Sequence, residues 1–202
     1  MKLGQITRNS ILGNSLYLLS MRPEIRHIVE MGTWNGMGST KCIIDGLSNR
    51  SDNYRFVSVE LYPDMYLEAR NNLQDYLNDK IVLLQGKIVE YEDTFWFDRK
   101  TIDPLDEHAK LYLESDMKYL KTEKNVFDQV PKSIDLCVLD GGEYSTYPEY
   151  LKLKDRVKIF ALDDTRILKC SKIREELMQE KWGIILDDLN VRNGVSILKR
   201  PS

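Results

Sequence analysis

Short runs of β-branched and aliphatic residues, each stopped by a glycine or a polar turn, recur along the chain: HIVEMG (27–32), RFVSVEL (55–61), KIVLLQGKI (80–88), SIDLCVLDGG (133–142) and VKIFALDD (157–164). Runs that are apolar at consecutive positions read as strands buried on both faces. Between them the apolar spacing changes to three and four, which predicts helices over STKCIIDGLSN (39–49), PDMYLEARNNLQDYLND (63–79), YPEYLKLKD (147–155) and CSKIREELMQEKW (170–182). Pro63 and Pro148 fall near helix starts, where a missing N–H leaves no bond unmade. Strand and helix in alternation predict a parallel α/β sheet. The end differs: GIILDDLNVRNGVSILKR (183–200) holds two β runs with no room for a helix between them, so these should pair as an antiparallel hairpin.

One segment departs from this rhythm. Residues 89–131 are longer than an ordinary crossover and carry Phe95, Trp96 and Phe97 in succession. They read either as an insertion or lid over the ligand face, or as a long crossover helix with an aromatic anchor in the core.

At 202 residues, with 42% hydrophobic and 30% charged positions, residues 1–202 are expected to form a single domain that buries its own core. A net charge of −3 argues against nucleic acid as a partner, because a phosphate backbone demands a clustered basic face. The basic run RILKCSKIR (166–174) reads as a solvated helix face. Cys42, Cys137 and Cys170 are far apart and odd in number, which points to structural thiols in a reducing compartment, the cytoplasm. The apolar stretch SILGNSLYLLS (10–20) is too short for a membrane span and has no cleavage signal, so no membrane association is expected.

The chemistry-bearing residues gather at the ends of the predicted strands, where ligands bind in open α/β sheets. Gly32 follows the first strand at once, and Gly36 and Gly38 open the next helix, so backbone can approach a ligand there with no Cβ in the way. Ser39 and Thr40 are expected to cap that helix, its N-terminal amides facing an anion or a carboxylate. Glu30 sits at the end of the first strand. Glu60 ends the second, from which a carboxylate can accept both ribose hydroxyls of an adenosine. A tight turn and a solvated acid would explain each feature singly; together they indicate a nucleoside-containing cofactor. The spacing is not G-x-G-x-x-G, which speaks against a phosphate-gripping nicotinamide loop.

Asp140 ends the run at 134–139, and Asp163 and Asp164 end the next. If those strands are neighbours, three carboxylates converge beside the glycine loop, and a hard divalent cation, Mg²⁺ first, would keep all three ionised. Such an ion would also lower the pKa of a bound hydroxyl. The alternative is that Asp140 caps a turn with Gly141 and Gly142 while Asp164 caps the following helix.

The stretch VEMGTWNGMGST (29–40) resembles motif I of class I S-adenosylmethionine-dependent methyltransferases, in the E-x-G-x-x-x-G form of the catechol and macrocin O-methyltransferases. The similarity spans about residues 25 to 200. It implies a Rossmann-like, mostly parallel seven-stranded sheet with helices on both faces and a C-terminal antiparallel hairpin, the last strand inserting beside the fifth. It implies S-adenosylmethionine (SAM) as cofactor, with Gly32, Thr33, Gly36, Gly38 and Glu30 on its methionine side, Glu60 on ribose, and Gly86 of QGKI (85–88) on adenine. It favours the metal reading of Asp140, Asp163 and Asp164, with Mg²⁺ or another divalent cation, and gives Asp140 catalytic and cofactor-binding roles as well.

Related sequences carry D-G-x-H after the fourth strand, whereas this chain has Glu143, the expected general base. The second LDD, with Asp187 and Asp188 opening the last loop, should lie away from Asp140, and His27 and His108 are expected to be structural. The activity implied is O-methylation of a small hydroxylated acceptor, a sugar being the first expectation, by a chain that could form a homo-oligomer. A cofactor-binding module without methyl transfer and a nicotinamide-dependent oxidoreductase are the competing readings.

Overall fold

Seven strands, β1 (His27–Met31), β2 (Arg55–Glu60), β3 (Ile81–Gln85), β4 (Ile134–Leu139), β5 (Val157–Asp163), β6 (Gly183–Asp188) and β7 (Val195–Lys199), pair in one sheet of order β3-β2-β1-β4-β5-β7-β6. The computed structural model that shows this describes residues 4–97 and 106–201. Strands β1 to β5 are parallel, and β7 runs antiparallel between β5 and β6. The expected architecture is met, including the inserted last strand.

Consecutive apolar residues in each strand serve opposite faces. Ile28 lies beside Phe56 and Leu136 and faces α1 (Ile11–Ser20), α2 (Ser39–Leu47) and α3 (Pro63–Leu73). Val29, beside Val57 and Cys137, faces α4 (Glu107–Thr122), α5 (Thr146–Leu153) and α6 (Ser171–Gln179). Both layers exclude water, and that area removed from water is the main stabilising term.

Helix α1 was not among the expected helices. It falls in the 10–20 stretch, where Leu12, Leu16 and Leu19 lie on one face and pack on α2, and where Ser10 caps the start by accepting from the Gly13 amide at 3.1 Å. The helix beginning at Pro63 is shorter than expected, ending at Leu73 rather than 79.

The 89–131 segment holds a short 3₁₀ turn (Tyr91–Trp96) followed by α4, which crosses from β3 to β4 and buries Met117 and Leu120. Residues 98–105, the middle of the expected insertion, lie outside the described residues. Trp96 is the aromatic anchor: its ring lies 4.7 Å from that of Tyr147, and its Nε1 donates to the Tyr144 carbonyl at 3.1 Å.

Because the chain adds β2 and β3 on one side of β1 and β4 and β5 on the other, a crevice opens beyond the carboxyl ends of β1 and β4. Among the described residues, no helix is long and apolar enough to cross a membrane.

Candidate functional site

A cavity of about 550 Å³ occupies that crevice, a size that suits a nucleoside cofactor and a small partner. Its floor is the glycine loop after β1. Gly32 adopts φ +93°, and a Cβ there would sit 2.2 Å from the Asp140 carbonyl oxygen, so β1 and β4 end in direct backbone contact. Gly32→Ala is therefore expected to lower unfolding free energy by more than about 2 kcal/mol in urea denaturation, combining backbone strain with the clash.

Gly36 serves differently. At φ +79° it turns the loop, and its missing Cβ makes room for Leu73 of α3, so it does not line the cavity. Gly38 and Thr33 do line it. Against Gly38 lies the N-terminal segment, whose Gly4 amide donates to the Met37 carbonyl at 3.0 Å; Gly4, Gln5 and Ile6 wall the cavity there, which no sequence signal indicated.

Ser39 and Thr40 do not cap α2. Gly38 holds the cap position without a side-chain bond, and Thr40 Oγ1 donates instead to Glu30 Oε2 at 2.7 Å. Ser58 Oγ donates to the same oxygen at 2.6 Å. Glu30 is fully buried behind the loop and does not line the cavity; burial, above the opposing hydroxyl bonds, pushes its carboxyl up to about 7. Its place is that of a tie between β1, β2 and α2.

Glu60 does line the cavity, at the end of β2, and is 4% exposed. Oε2 accepts from the Trp34 amide at 2.6 Å and Oε1 from the Tyr62 amide at 2.9 Å. A carboxylate has about four acceptor sites, so backbone amides leave part of its capacity unused. Burial, partly opposed by those amides, raises the carboxyl to about 7. Trp34 itself is held at φ 50°, a strained backbone at the cavity wall. Gly86, after β3, lines the same side.

The three expected carboxylates converge. Asp140, Asp163 and Asp164 each offer an oxygen within 4.8 Å of the others. They are not bare, however. Lys169 Nζ lies 2.7 Å from Asp140 Oδ1 and 2.6 Å from Asp164 Oδ2, and Arg192 Nη2 lies 3.1 Å from Asp163 Oδ2. Asn193 Nδ2 donates to Asp164 Oδ1 at 3.0 Å.

Burial opposes the Lys169 charge, but the Asp140 and Asp164 carboxylates outweigh it and keep the amine protonated. Burial would likewise raise Asp164, yet Lys169 holds it below the usual carboxylate range. Asp163 is pushed up to about 6 by burial and by its two acidic neighbours. Asp164 lies at φ 57° and does not cap α6, which begins at Ser171. The basic run at 166–174 is thus not a solvated face: Lys169 is 7% exposed, and Arg174 pairs with Asp187 at 2.6 Å. Asp187 and Asp188 end β6 instead of opening the loop after it, and Asp187 also accepts from Ser196 Oγ at 2.6 Å.

On the acceptor side, Glu143 lines the cavity, and burial raises its carboxyl above the usual range while Lys169 opposes. Asp116 of α4, which sequence reasoning missed, reaches the same wall, accepts from the Tyr62 hydroxyl and from the Tyr144 amide at 3.2 Å, and abuts Gly142. Tyr144 and Tyr147 belong to the core, and His27 and His108 are exposed away from the cavity. Glu149 is buried beneath Gly141 with its Oε2 unpartnered among the described residues, and it lines the cavity.

No protein-family model matches the sequence, and no curated protein matches it. Solved structures are similar. An SAH-bound methyltransferase from Podospora anserina superposes with TM-score 0.61 at 14% identity, over 94% of this chain and 78% of that one. The O-methyltransferase from Bacillus cereus in complex with SAH gives TM-score 0.60 at 16% identity, over 98% and 84%. An O-methyltransferase from Streptomyces achromogenes involved in tomaymycin synthesis, in complex with SAM, gives 0.58 at 13%, over 99% and 84%. At these identities the likeness is one of fold: the chain has the Rossmann-like fold of methyltransferases, the class that its glycine motif resembles.

Proposed function

We propose that this chain is a SAM-dependent O-methyltransferase acting on a small hydroxylated acceptor. The observation that carries the reading is Glu60, a buried carboxylate at the end of β2 that lines the cavity beside the glycine loop, with both oxygens fixed by backbone amides. Fold likeness to SAM- and SAH-bound proteins supports the same cofactor. The residues fit it: Glu60 would accept the ribose hydroxyls, Gly86 would border adenine, and Gly32, Thr33, Gly38 and Asp140 would border the methionine portion. Glu149, buried beneath Gly141, lines the same cavity. When bound, SAM supplies an electrophilic methyl group on sulfur.

What the chain must then do is orient an acceptor oxygen and take its proton, a task of positioning. Glu143, which lines the cavity, would take the proton. Asp116, Glu143, Lys169 and Tyr112 line the cavity with both donors and acceptors, which supports a polyhydroxylated molecule such as a sugar. Three buried, unpaired cysteines suit a reducing compartment, the cytoplasm. The divalent cation expected from the sequence does not fit the carboxylates as they stand, because Lys169 already bridges two of them.

Calorimetric titration with SAM and SAH, using NAD as control, tests the reading. Micromolar binding of an adenosyl ligand and none of NAD is the expected result. A folded protein that binds neither SAM nor SAH would overturn it.

A further inference from the structure

The acidic cluster raises a question of charge. Three carboxylates within 4.8 Å of one another need a cation, and a divalent ion would take oxygens from several of them at about 2.0–2.6 Å. Two of the three carboxylates already share one cation, while Asp163 Oδ1 has no partner among the described residues. Lys169 Nζ lies 2.7 Å from Asp140 and 2.6 Å from Asp164, and Arg192 reaches Asp163 from the β6–β7 loop at 3.1 Å, so two fixed positive charges face three negative ones.

Nor is Lys169 a surface side chain that happens to lean inward. It is 7% exposed, and its neighbour Cys170 is fully buried with Sγ 3.8 Å from the Leu139 carbonyl. The Ser171 amide donates to the Ile167 carbonyl at 3.0 Å, closing the turn that carries Lys169. Moving the ammonium out to admit a metal would strip it of both carboxylates, a costly change for a buried charge.

We propose that the Lys169 ammonium is the built-in cation of this site and takes the place of a divalent metal. An ammonium has three N–H donors, and Asp140 and Asp164 take two, which leaves one for an oxygen of a ligand in the cavity that Lys169 lines. The site would thus hold an acceptor oxygen by a charged hydrogen bond; that consequence rests on the methyltransferase reading, whereas the cation assignment does not.

The test is Mn²⁺ binding to the full chain, read by electron paramagnetic resonance, for the wild type and for Lys169→Met. The wild type is expected to bind no Mn²⁺ at sub-millimolar concentration. The variant, with its carboxylates deprived of their cation, should bind it at least about tenfold more tightly. Sub-millimolar Mn²⁺ binding by the wild type would overturn the proposal, and so would a folded Lys169→Met protein that gains no affinity. Should the variant fail to fold, wild-type melting decides. An unchanged melting temperature between chelator and millimolar Mg²⁺ is expected, and a rise with Mg²⁺ overturns the proposal. SAH calorimetry in chelator separates the two readings: absent SAH binding would sink the methyltransferase assignment and leave the Mn²⁺ result to judge Lys169.

Discussion

Glu60→Ala is expected to weaken SAH binding by about 100-fold or more, because the two ribose hydroxyl bonds proposed for its carboxylate, at roughly 1.5–3 kcal/mol each, would be lost. The substitution also releases the Trp34 and Tyr62 amides that Glu60 holds at 2.6 and 2.9 Å, so the glycine loop loses a fixed point beside the cofactor. Glu60→Gln keeps the volume and one acceptor oxygen, and an intermediate loss of about tenfold follows.

The pH dependence gives a second readout. Burial raises the Glu60 carboxyl to about 7, and ribose hydroxyls are best accepted by the ionised form. Wild-type affinity should therefore improve as pH rises from 6 to 8, and Glu60→Gln should flatten that slope. Calorimetry over this range checks both. A folded Glu60→Ala protein that bound SAH like the wild type would remove Glu60 from the cofactor site.

Glu149→Gln is expected to stabilise the protein at alkaline pH. Burial raises the Glu149 carboxyl from 4.5 to about 8, and its Oε2 has no partner among the described residues. Between those two pH values the folded chain keeps a proton that the unfolded chain has released, so stability falls as pH rises through the window and levels off above it. Glutamine has no proton to lose.

At pH 8.5 the variant should gain up to about 5 kcal/mol over the wild type, which corresponds to roughly 10–20 °C for a chain of this size. The gain should vanish below pH 4.5. Thermal melts from pH 4 to 9 measure it; a variant no more stable than the wild type at pH 8.5 would mean that the carboxylate has a partner in solution. Glu30, raised to about 7 by burial, contributes to the same loss at lower pH. A buried carboxylate with one unpartnered oxygen in a binding cavity is the kind of feature a protein retains for function at a cost in stability.

Much of this was legible in the residues. Runs rich in β-branched and aliphatic residues at 28–31, 56–59, 134–139 and 157–162 marked buried strands, and Pro63 marked a helix start, since these depend on local periodicity and local backbone preference. The glycine loop, Glu60, Gly86 and the meeting of Asp140 with Asp163 and Asp164 were legible as well. A residue at a strand's carboxyl end is delivered to the crevice whenever the strands are parallel neighbours.

Tertiary structure alone decided the rest. Helix α1 is held by packing on α2, although the same stretch viewed singly is only a short apolar run. Gly36 turned out to make room for Leu73, Glu30 to lie behind the loop, and Lys169 and Arg192 to arrive at the acidic cluster from two different connections. Asp116 came from a helix far along the chain. Periodicity tells which face a residue is on; it does not tell which charges will share a low-dielectric cavity, because that depends on strand order, on the return of the β6–β7 loop and on side-chain rotamers chosen by long-range contacts.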